Sequence, residues 1–277
     1  MLRSLVGSEM CIRDRFTAKY AGKLLPGHFH ALNSIRNCRT PESGEFFVQC
    51  PECGHGEWQP MSCGHRNCPK CQNHETSQWI DRQQTKLLPV PYFMVTFTLP
   101  YELRALAWRN QTKVYTILFL CVASTLKDFG LNPKNLGANI GITAVLHTNN
   151  RKLDFHPHIH AVVPGGGVDK DRRQWKKKKE KYLFNQKALA KETRYRTLKG
   201  EDFLYLLIKH VLPKGFRRVR DYGFLHGNAK KLLSLVQLIL HVFIKIIKQR
   251  SRPIFKCPCC KSPMVIVGFR QSPWESG

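Results

Sequence analysis

The chain has 277 residues, enough for one large domain or two modest ones with a real hydrophobic core. Its 45 lysines and arginines outnumber its 19 aspartates and glutamates, and the resulting formal net charge of +26 favours a polyanionic partner, above all nucleic acid, over a surface that is basic merely for solubility. Eleven cysteines at metal-like spacings argue against a disulfide-rich secreted scaffold and for a reducing compartment.

Residues 1–15 are expected to be a non-native leader, because the string from Met10 to Arg15 resembles a translated adapter sequence. The leader lacks the apolar run of a secretion signal and carries the acidic Glu9. No segment offers the ~20 apolar residues of a membrane span, so no membrane partner is expected. The most apolar stretch, residues 232–247, is interrupted by polar residues and predicts a buried or amphipathic helix.

Two Cys-Pro-x-Cys turns follow, separated by fourteen residues. Such a turn holds two thiolates close together and directs backbone amides at the sulfurs, and two facing turns close a tetrahedral zinc site. A redox dithiol is the competing interpretation, which two matched turns disfavour. Four thiolates leave no open position, so the predicted zinc ion is structural. The predicted ligands are Cys50, Cys53, Cys68 and Cys71, with Cys63 and His65 as alternative or additional ligands and Cys38 outside the site.

A third group of cysteines near the C-terminus, formed by Cys257, Cys259 and Cys260, supplies only half of a tetrahedral site. The sequence leaves three interpretations open: ligands borrowed from elsewhere in the chain, weak metal binding, or a relic without metal.

The hydrophobic pattern of the central region predicts strands interleaved with helices. Predicted helices cover residues 77–88, 114–126, 201–211 and 228–248, and predicted strands cover residues 92–100, 140–147 and 155–163. Consecutive strands favour antiparallel pairing. The predicted fold class is therefore α+β: a small zinc-ribbon-like N-terminal module, then a domain with a central antiparallel sheet flanked by helices.

The third predicted strand carries His158 and His160 on either side of Ile159. Alternate side chains share one face of a strand, so the two imidazoles project together while Ile159 points into a core. Two imidazoles on a rigid face can chelate a divalent metal, although paired histidines also serve as structural hydrogen-bonding residues. His147 on the neighbouring strand is the preferred third ligand and His156 the second choice; either could instead be a hydrogen-bond partner.

Two basic clusters have compositions suited to phosphate contact. For both clusters, a solvated basic loop or turn remains the alternative. The first cluster contains Arg172, Arg173, Trp175, Lys176, Lys177, Lys178 and Lys179, and the second contains Lys214, Arg217, Arg218 and Arg220.

Four stretches together resemble one protein family: residues 66–72, 90–100, 147–167 and 210–225. The resemblance is to the two-tyrosine HUH transposases of rolling-circle insertion sequences (the insertion-sequence-ninety-one type). It implies a zinc-binding domain over residues 16–88, an HUH-type transposase domain over residues 89–225, and a tail over residues 226–277 with a helix and the basic cysteine cluster.

The resemblance also implies a chemistry. The histidines would hold Mg²⁺ or Mn²⁺ against the scissile phosphate, and a tyrosine would attack phosphorus to form a 5′-phosphotyrosine and free a 3′-hydroxyl. The implied partner is DNA, as single-stranded element ends, in the cytoplasm of a bacterium.

The nucleophile departs from the family pattern. The family carries its tyrosines as Tyr-x-x-x-Tyr, whereas no two of the eight tyrosines here are four residues apart. The stretch that should carry them is expected to be missing near residues 190–194. Tyr205 is the substitute we consider, although its apolar neighbours favour a core position. The expected protein is thus a transposase whose present copy is defective. The alternatives are a non-catalytic zinc-dependent DNA-binding protein and a rolling-circle replication initiator, and the N-terminal cysteines argue against the latter.

Overall fold

The structure is a computed structural model that describes residues 15–169, 171, 173–177, 202, 205, 210–242 and 254–271. The chain divides into two compact units. The large unit comprises Met1–Gly22 and Lys86–Lys245, and the small unit comprises Lys23–Thr85 and Ile246–Gly277. The small unit is therefore discontinuous in sequence. This division differs from the predicted tail over residues 226–277, because the last part of the chain folds with the cysteine-rich N-terminal module.

The helices with complete bounds in the described residues are α1 (Pro26–Asn37), α2 (Gln72–Gln84), α3 (Arg104–Arg109), α4 (Gln111–Leu131) and α5 (Lys230–Ile239). The strands are β1 (Glu45–Gln49), β2 (Gly56–Pro60), β3 (Tyr92–Thr98), β4 (Ile142–Asn149), β5 (Phe155–Pro164), β6 (Gly166–Asp169), β7 (Gln174–Lys177), β8 (Val219–Tyr222) and β9 (Val265–Arg270). The predicted α+β class with antiparallel sheets and a cysteine-rich module is confirmed.

Some helix bounds differ from the predicted ones because the spacing of apolar residues did not mark where these helices begin or end. Helix α2 begins five residues before the predicted start, because its polar first turns carry no apolar periodicity. Helix α5 ends at Ile239, where the backbone of His241 turns into the left-handed region at a φ of 52°. Most of the helix predicted over residues 201–211, and the end of the one predicted over 228–248, lie outside the described residues.

The small unit is built on a three-stranded antiparallel sheet in the order β2-β1-β9. The central strand pairs Phe47 with Trp58 on one side and with Gly268 on the other. Behind the sheet, Val48 and Met264 are buried together with the thiols of Cys50 and Cys257. The first and last parts of the unit therefore share both a sheet and a core.

The large unit is built on a four-stranded antiparallel sheet in the order β3-β5-β4-β8. One face is apolar and buried, with Ile142, Leu146 and Ile159 almost without solvent exposure. The strands alternate as expected for a sheet covered on one side, because Thr96 and Thr98 on β3 face solvent while Val95 and Phe97 between them are half-buried against the core.

Helix α4 covers the buried face of this sheet with Tyr115, Phe119, Val122 and Leu126. These positions recur at helical spacing and form one apolar stripe. In the described part of the chain, α4 is the one helix long and apolar enough to cross a membrane, so the expectation that no segment has this length and composition was wrong. Its stripe of four buried residues packs in the core of the large unit.

A second, smaller core lies around the two-stranded ribbon of β6 and β7. Trp175 on this ribbon packs edge-on against Phe224, with ring centroids 5.9 Å apart. The turn before Phe224 requires glycine: Gly223 has a φ of 62°, and a Cβ atom there would lie 1.8 Å from the carbonyl oxygen of Ile140.

Candidate metal centres

The antiparallel register brings three histidines onto one face of the large sheet, where His147 is exposed, His160 is half-buried and His158 is buried. His147 on β4 lies directly opposite His158 on β5, and His160 follows two residues later on the same face. One ligand nitrogen from each of the three rings lies within 4.8 Å of the others. Ring centroids are 4.6 Å apart for His147 and His160, and 4.8 Å apart for His158 and His160. The cluster contains the predicted pair and the preferred third ligand.

Hydrogen bonds hold the rings of the two histidines on β5. The Nδ1 of His158 donates to the carbonyl oxygen of His156 over 2.7 Å, which leaves its Nε2 as the atom with a lone pair. The Nδ1 of His160 lies 2.9 Å from Oγ1 of Thr96 on β3. Metal-bound histidines commonly make such a second bond, which fixes ring orientation and tautomer. His156 contributes its carbonyl to this arrangement, and its ring lies outside the three-histidine group.

The surroundings favour the neutral form of the His147 and His160 imidazoles. Part of the His147 side chain is open to solvent, but desolvation by the surrounding protein and then the rings of His160 and His158 lower its pKa to about 4. Burial and the neighbouring His158 also lower the pKa of His160. A neutral imidazole is the form that binds metal, so the cluster needs little proton release to accept a cation at neutral pH.

One arginine lies beside the histidine cluster, and a second lies near the neighbouring His156. Arg218 is exposed, and its backbone carbonyl accepts a hydrogen bond of 2.9 Å from the N–H of Leu146, next to His147. Arg104 on α3 is close enough to His156 for its charge to add to the effect of burial in lowering the histidine's pKa. Sequence reasoning missed Arg104 and Thr96, because each reaches the site through strand pairing or a turn rather than through a motif.

Tyr205, the substitute nucleophile we considered, is packed in an aromatic contact. Its ring stacks on Tyr20 with centroids 3.9 Å apart and planes 6° from parallel. The hydroxyl of Tyr20 in turn donates to Asp202. Burial raises the pKa of the Tyr205 phenol, which makes its anion harder to form. Tyr182 and Tyr195 lie outside the described residues.

The first cysteine cluster of the small unit consists of Cys38, Cys63, Cys68 and Cys71. The Sγ of Cys38 lies 3.4 Å from that of Cys71 and 3.6 Å from that of Cys68, and the sulfurs of Cys63 and Cys71 are 3.7 Å apart. A tetrahedral zinc site with Zn–S bonds of ~2.3 Å implies sulfur separations of about 3.8 Å, close to these values. The four thiols therefore fit one zinc ion.

The predicted site of Cys50, Cys53, Cys68 and Cys71 does not form, since the two pairs belong to different clusters. Cys38, predicted to lie outside the site, lies within the first cluster. It ends helix α1, and the N–H of Arg39 donates to the carbonyl of Met61, which brings it to the segment before Cys63. This contact spans about twenty residues and leaves no signature in cysteine spacing.

His65 lies beside the first cluster without joining its four sulfurs. Its Nδ1 accepts a hydrogen bond of 3.2 Å from the backbone N–H of Asn67, and its own N–H points at the sulfur of Cys63. The ring also packs edge-on against His30, with centroids 5.5 Å apart. These contacts hold His65 within the turn that carries Cys63.

The second cysteine cluster consists of Cys50, Cys53, Cys257 and Cys260. It joins the first Cys-Pro-x-Cys turn to the C-terminal cysteines, for which the sequence left three interpretations open. Cys259 lies outside this cluster and is exposed.

The structure separates the predicted DNA-binding residues into exposed and packed side chains. Lys176 is held by Asp169 at 2.8 Å and by the carbonyl of Gly137, and Trp175 packs in the small core. Arg220 lies over the ring of Phe119 at 4.4 Å. These three are committed to the fold. The exposed ones are Arg173, Lys177, Lys214, Arg217 and Arg218, and Arg172, Lys178 and Lys179 lie outside the described residues.

Family models match two parts of the chain. The model for a transposase zinc-binding domain matches residues 11–99. A second model, described as "Putative transposase", matches residues 141–196 and 190–232. This second match falls into two parts that overlap over residues 190–196.

Two curated proteins illustrate the relationship. "Putative transposase y4qJ" of Sinorhizobium fredii is 43% identical over 144 residues, which cover 52% of this chain and 36% of that protein. "Transposase for insertion sequence element IS801" of Pseudomonas savastanoi pv. phaseolicola is 36% identical over 124 residues, which cover 45% of this chain and 29% of that protein. The chain therefore spans about a third of the length of these relatives.

No solved structure matches the chain. The two family models nevertheless follow one another in the order zinc-binding domain and then transposase domain, and the cysteine clusters of the small unit are consistent with structural zinc. The resemblance inferred from the sequence is thereby confirmed: both matched parts of the chain are similar to transposases of the IS91 type.

Proposed function

We propose that this chain binds the single-stranded ends of an insertion sequence and presents its histidine cluster to a phosphate of the DNA backbone. The observation that carries the proposal is the grouping of His147, His158 and His160 on one face of a rigid sheet. A flat face with exposed threonines on β3 and the exposed Arg218 beside it can accommodate an unpaired strand. We place this activity in the bacterial cytoplasm, the reducing compartment that free thiols favour.

The residues present fit a divalent cation with a preference for nitrogen ligands. Three imidazoles suit Mn²⁺ better than Mg²⁺, because Mg²⁺ prefers oxygen ligands and retains its water. When bound, such a cation acts as a Lewis acid on a phosphate oxygen and as a template for the strand. Thr96 and the His156 carbonyl orient the imidazoles, and Arg218 adds positive charge beside them.

The first cysteine cluster, with Cys38, Cys63, Cys68 and Cys71, is proposed to hold a structural zinc ion. Its sulfur separations support this assignment, and four thiolates leave no position for a substrate. The zinc-binding module and the exposed basic residues would then supply binding that does not depend on the histidine cluster.

Strand cleavage in this family pattern needs a tyrosine. The phenol would lose its proton and its oxygen would form a bond to phosphorus, the bond from phosphorus to the 3′-oxygen would break, and the released 3′-oxygen would take a proton to become the 3′-hydroxyl. We propose that this copy binds DNA without cleaving it. The absence of a Tyr-x-x-x-Tyr motif from the sequence and the division of the family match near residues 190–196 support this view.

The test uses single-stranded DNA from an element end, the full chain and Mn²⁺. We expect salt-dependent binding by fluorescence anisotropy and no covalent protein–DNA adduct on a denaturing gel. The His158→Ala variant should lose the Mn²⁺-dependent part of the binding and keep the remainder. A covalent adduct that disappears in the Tyr205→Phe variant would overturn the view that the nucleophile is absent.

A chimera tests the missing segment directly. The stretch of the Sinorhizobium fredii relative that corresponds to the junction at residues 190–196 is inserted into this chain. We expect adduct formation in the chimera but not in the chimera with His158→Ala. A chimera that binds DNA and Mn²⁺ yet forms no adduct would contradict the assignment of the histidine cluster to cleavage.

A DNA-binding protein that uses its zinc-binding module and basic residues, without metal at the histidine cluster, is the second candidate function. The lack of a Tyr-x-x-x-Tyr motif in the sequence also favours this candidate. An inactive copy that binds element ends would compete for them with an active transposase. The two candidates differ in the metal dependence of DNA binding. The first predicts a higher DNA affinity with Mn²⁺, and the second predicts the same affinity with and without Mn²⁺.

A further inference from the structure

The second cysteine cluster of the small unit joins two turns that lie far apart in sequence but have the same backbone conformation. The carbonyl of Cys50 accepts from the N–H of Gly54 over 3.0 Å, and that of Cys257 accepts from the N–H of Lys261 over 2.9 Å. The N–H of Cys50 donates to His55 over 2.8 Å, and that of Cys257 donates to Ser262 over 2.9 Å. The two turns thus match bond for bond.

The match extends to backbone dihedral angles. The residue after the second cysteine has a positive φ in both turns: 71° at Gly54 and 64° at Lys261. A lysine in the left-handed region is uncommon and needs a structural cause. Closing a turn around two thiolates provides that cause, because the chain must double back to direct backbone N–H groups at the sulfurs.

Strand pairing places the two turns at the same end of the small sheet. Strand β1 leads directly into Cys50, strand β9 follows shortly after Cys260, and Gln49 pairs with Val265. The two pairs of thiols therefore face one another across neighbouring strands. Their sulfurs are 3.4 Å apart for Cys50 and Cys260, 3.5 Å for Cys53 and Cys257, and 3.7 Å for Cys53 and Cys260.

We propose that Cys50, Cys53, Cys257 and Cys260 bind a second structural zinc ion, which closes a zinc ribbon between the two ends of the small unit. The sulfur separations are close to the roughly 3.8 Å of a tetrahedral tetrathiolate site and leave room for one ion. The zinc-binding module of this chain then needs the C-terminal cysteines for its completion, and the third cysteine group is half of a shared site.

The metal content of the purified full chain tests the stoichiometry. The measurement is made in a His158→Ala background, so that the histidine cluster does not contribute, by mass spectrometry of the metal after gel filtration. We expect two zinc ions per chain, one after Cys260→Ser and one after Cys68→Ser, which affects the other cluster. Cys259→Ser is the matched control and should retain two.

A content of two zinc ions in the Cys260→Ser variant would overturn the proposal. The proposal would also be overturned if the parent chain held a single zinc ion and the Cys68→Ser variant held none. Both results can be read without reference to DNA binding or cleavage, so they are independent of the proposed function.

Thiol labelling tests the unmutated chain and avoids variants that fail to fold. Cys53, Cys260 and Cys259 are all exposed, so burial alone would let all three react with iodoacetamide. With zinc bound, we expect Cys53 and Cys260 to be protected and Cys259 to be labelled, and a chelator should abolish the protection. Labelling of all three at the same rate in the zinc-loaded chain would contradict the proposal, as would a disulfide within the cluster on a non-reducing peptide map.

Discussion

Single side chains around the histidine cluster differ in how their orientation is fixed. His158 is held by a backbone carbonyl and His160 by the hydroxyl of Thr96. Only the second contact can be removed by substitution without altering the main chain. Thr96 is therefore the position where the contribution of a neighbouring group to metal affinity can be measured.

The Thr96→Val substitution replaces the hydroxyl with a methyl group of similar size. We expect Mn²⁺ affinity to fall by about tenfold, the lower end of the effect of losing such a supporting hydrogen bond. Isothermal titration calorimetry with Mn²⁺ provides the measurement. Thr98→Val is the matched control, on the same exposed face of β3 and opposite His158, and should bind like the parent chain. Equal losses in both variants would show that the hydroxyl of Thr96 has no special role.

Two of the three arginines in the β8 region, Arg217 and Arg220, have different surroundings. Arg217 is exposed, whereas Arg220 packs over Phe119 and Phe216 and reaches Oγ1 of Thr116. If Arg217 contacts a phosphate, Arg217→Ala should reduce the slope of log K against log salt by about 0.7 for single-stranded DNA. Arg220→Ala should instead lower the free energy of unfolding by about 1 kcal/mol through loss of its contacts with the rings.

Anisotropy titrations at several salt concentrations and urea denaturation of each variant separate these two effects. A change of salt slope in the Arg220 variant and none in the Arg217 variant would reverse the assignment of the two side chains.

Among the elements, the edge strand β8 depends on the turn that follows it. Gly223 combines a positive φ with the carbonyl of Ile140 where a Cβ atom would lie. Gly215 also has a positive φ, at 77°, but no atom lies within 4 Å of the position of its Cβ. The two glycines therefore share the dihedral requirement and differ in the space available.

Alanine substitutions at these two glycines should separate the free-energy cost of backbone strain from that of a steric clash. Gly215→Ala is expected to cost about 1 kcal/mol, the penalty of the left-handed region alone. Gly223→Ala is expected to cost at least about 3 kcal/mol, because the edge strand and its turn must shift to make room. Urea denaturation followed by circular dichroism measures both values. Similar losses for the two variants would mean that the turn at Gly223 moves aside easily.

The sequence was informative where the physics is local. Alternation placed His158 and His160 on one face, and β-branched and aromatic residues marked β3, β4 and β5. Local patterns could not show that Trp175 and Arg220 pack within the fold, because their partners Phe224 and Phe119 come from other elements. A basic cluster read from sequence therefore overstates the number of side chains available for phosphate.

For the whole molecule, cysteine pairing was the part that spacing could not predict. Each Cys-x-x-Cys turn can be recognised from its own sequence. Any two such turns could supply the four thiolates of one zinc site, so the spacing does not indicate which turns combine. Strand pairing of β1 with β9 and the contact from Arg39 to Met61 select the partners. These contacts involve residues distant in sequence, so the local spacing suggested the wrong combination.

Metal removal should affect the two units differently. Structural zinc sites contribute apparent binding energies of about 10–16 kcal/mol in small zinc-binding peptides, so the small unit with its modest core should unfold on chelation. The large unit has its own core of α4 against the four-stranded sheet and should remain folded. Hydrogen exchange with mass spectrometry, with and without chelator, is the measurement.

We expect loss of protection in β1, β2 and β9 and retained protection in β4 and β5. The His158→Ala variant controls for metal at the histidine cluster and should give the same pattern. Loss of protection throughout the chain would show that the two units fold as one.

The position of β9 beside β1 also sets an order of events during biosynthesis. The first strands of the small unit leave the ribosome early, but their third strand is made only after the entire large unit. At about 5–20 residues per second, this interval is roughly ten seconds or more. The nascent small unit therefore remains with an open sheet edge and two free thiols, those of Cys50 and Cys53, while the large unit is being synthesised, and its sheet is completed only once β9 has been made.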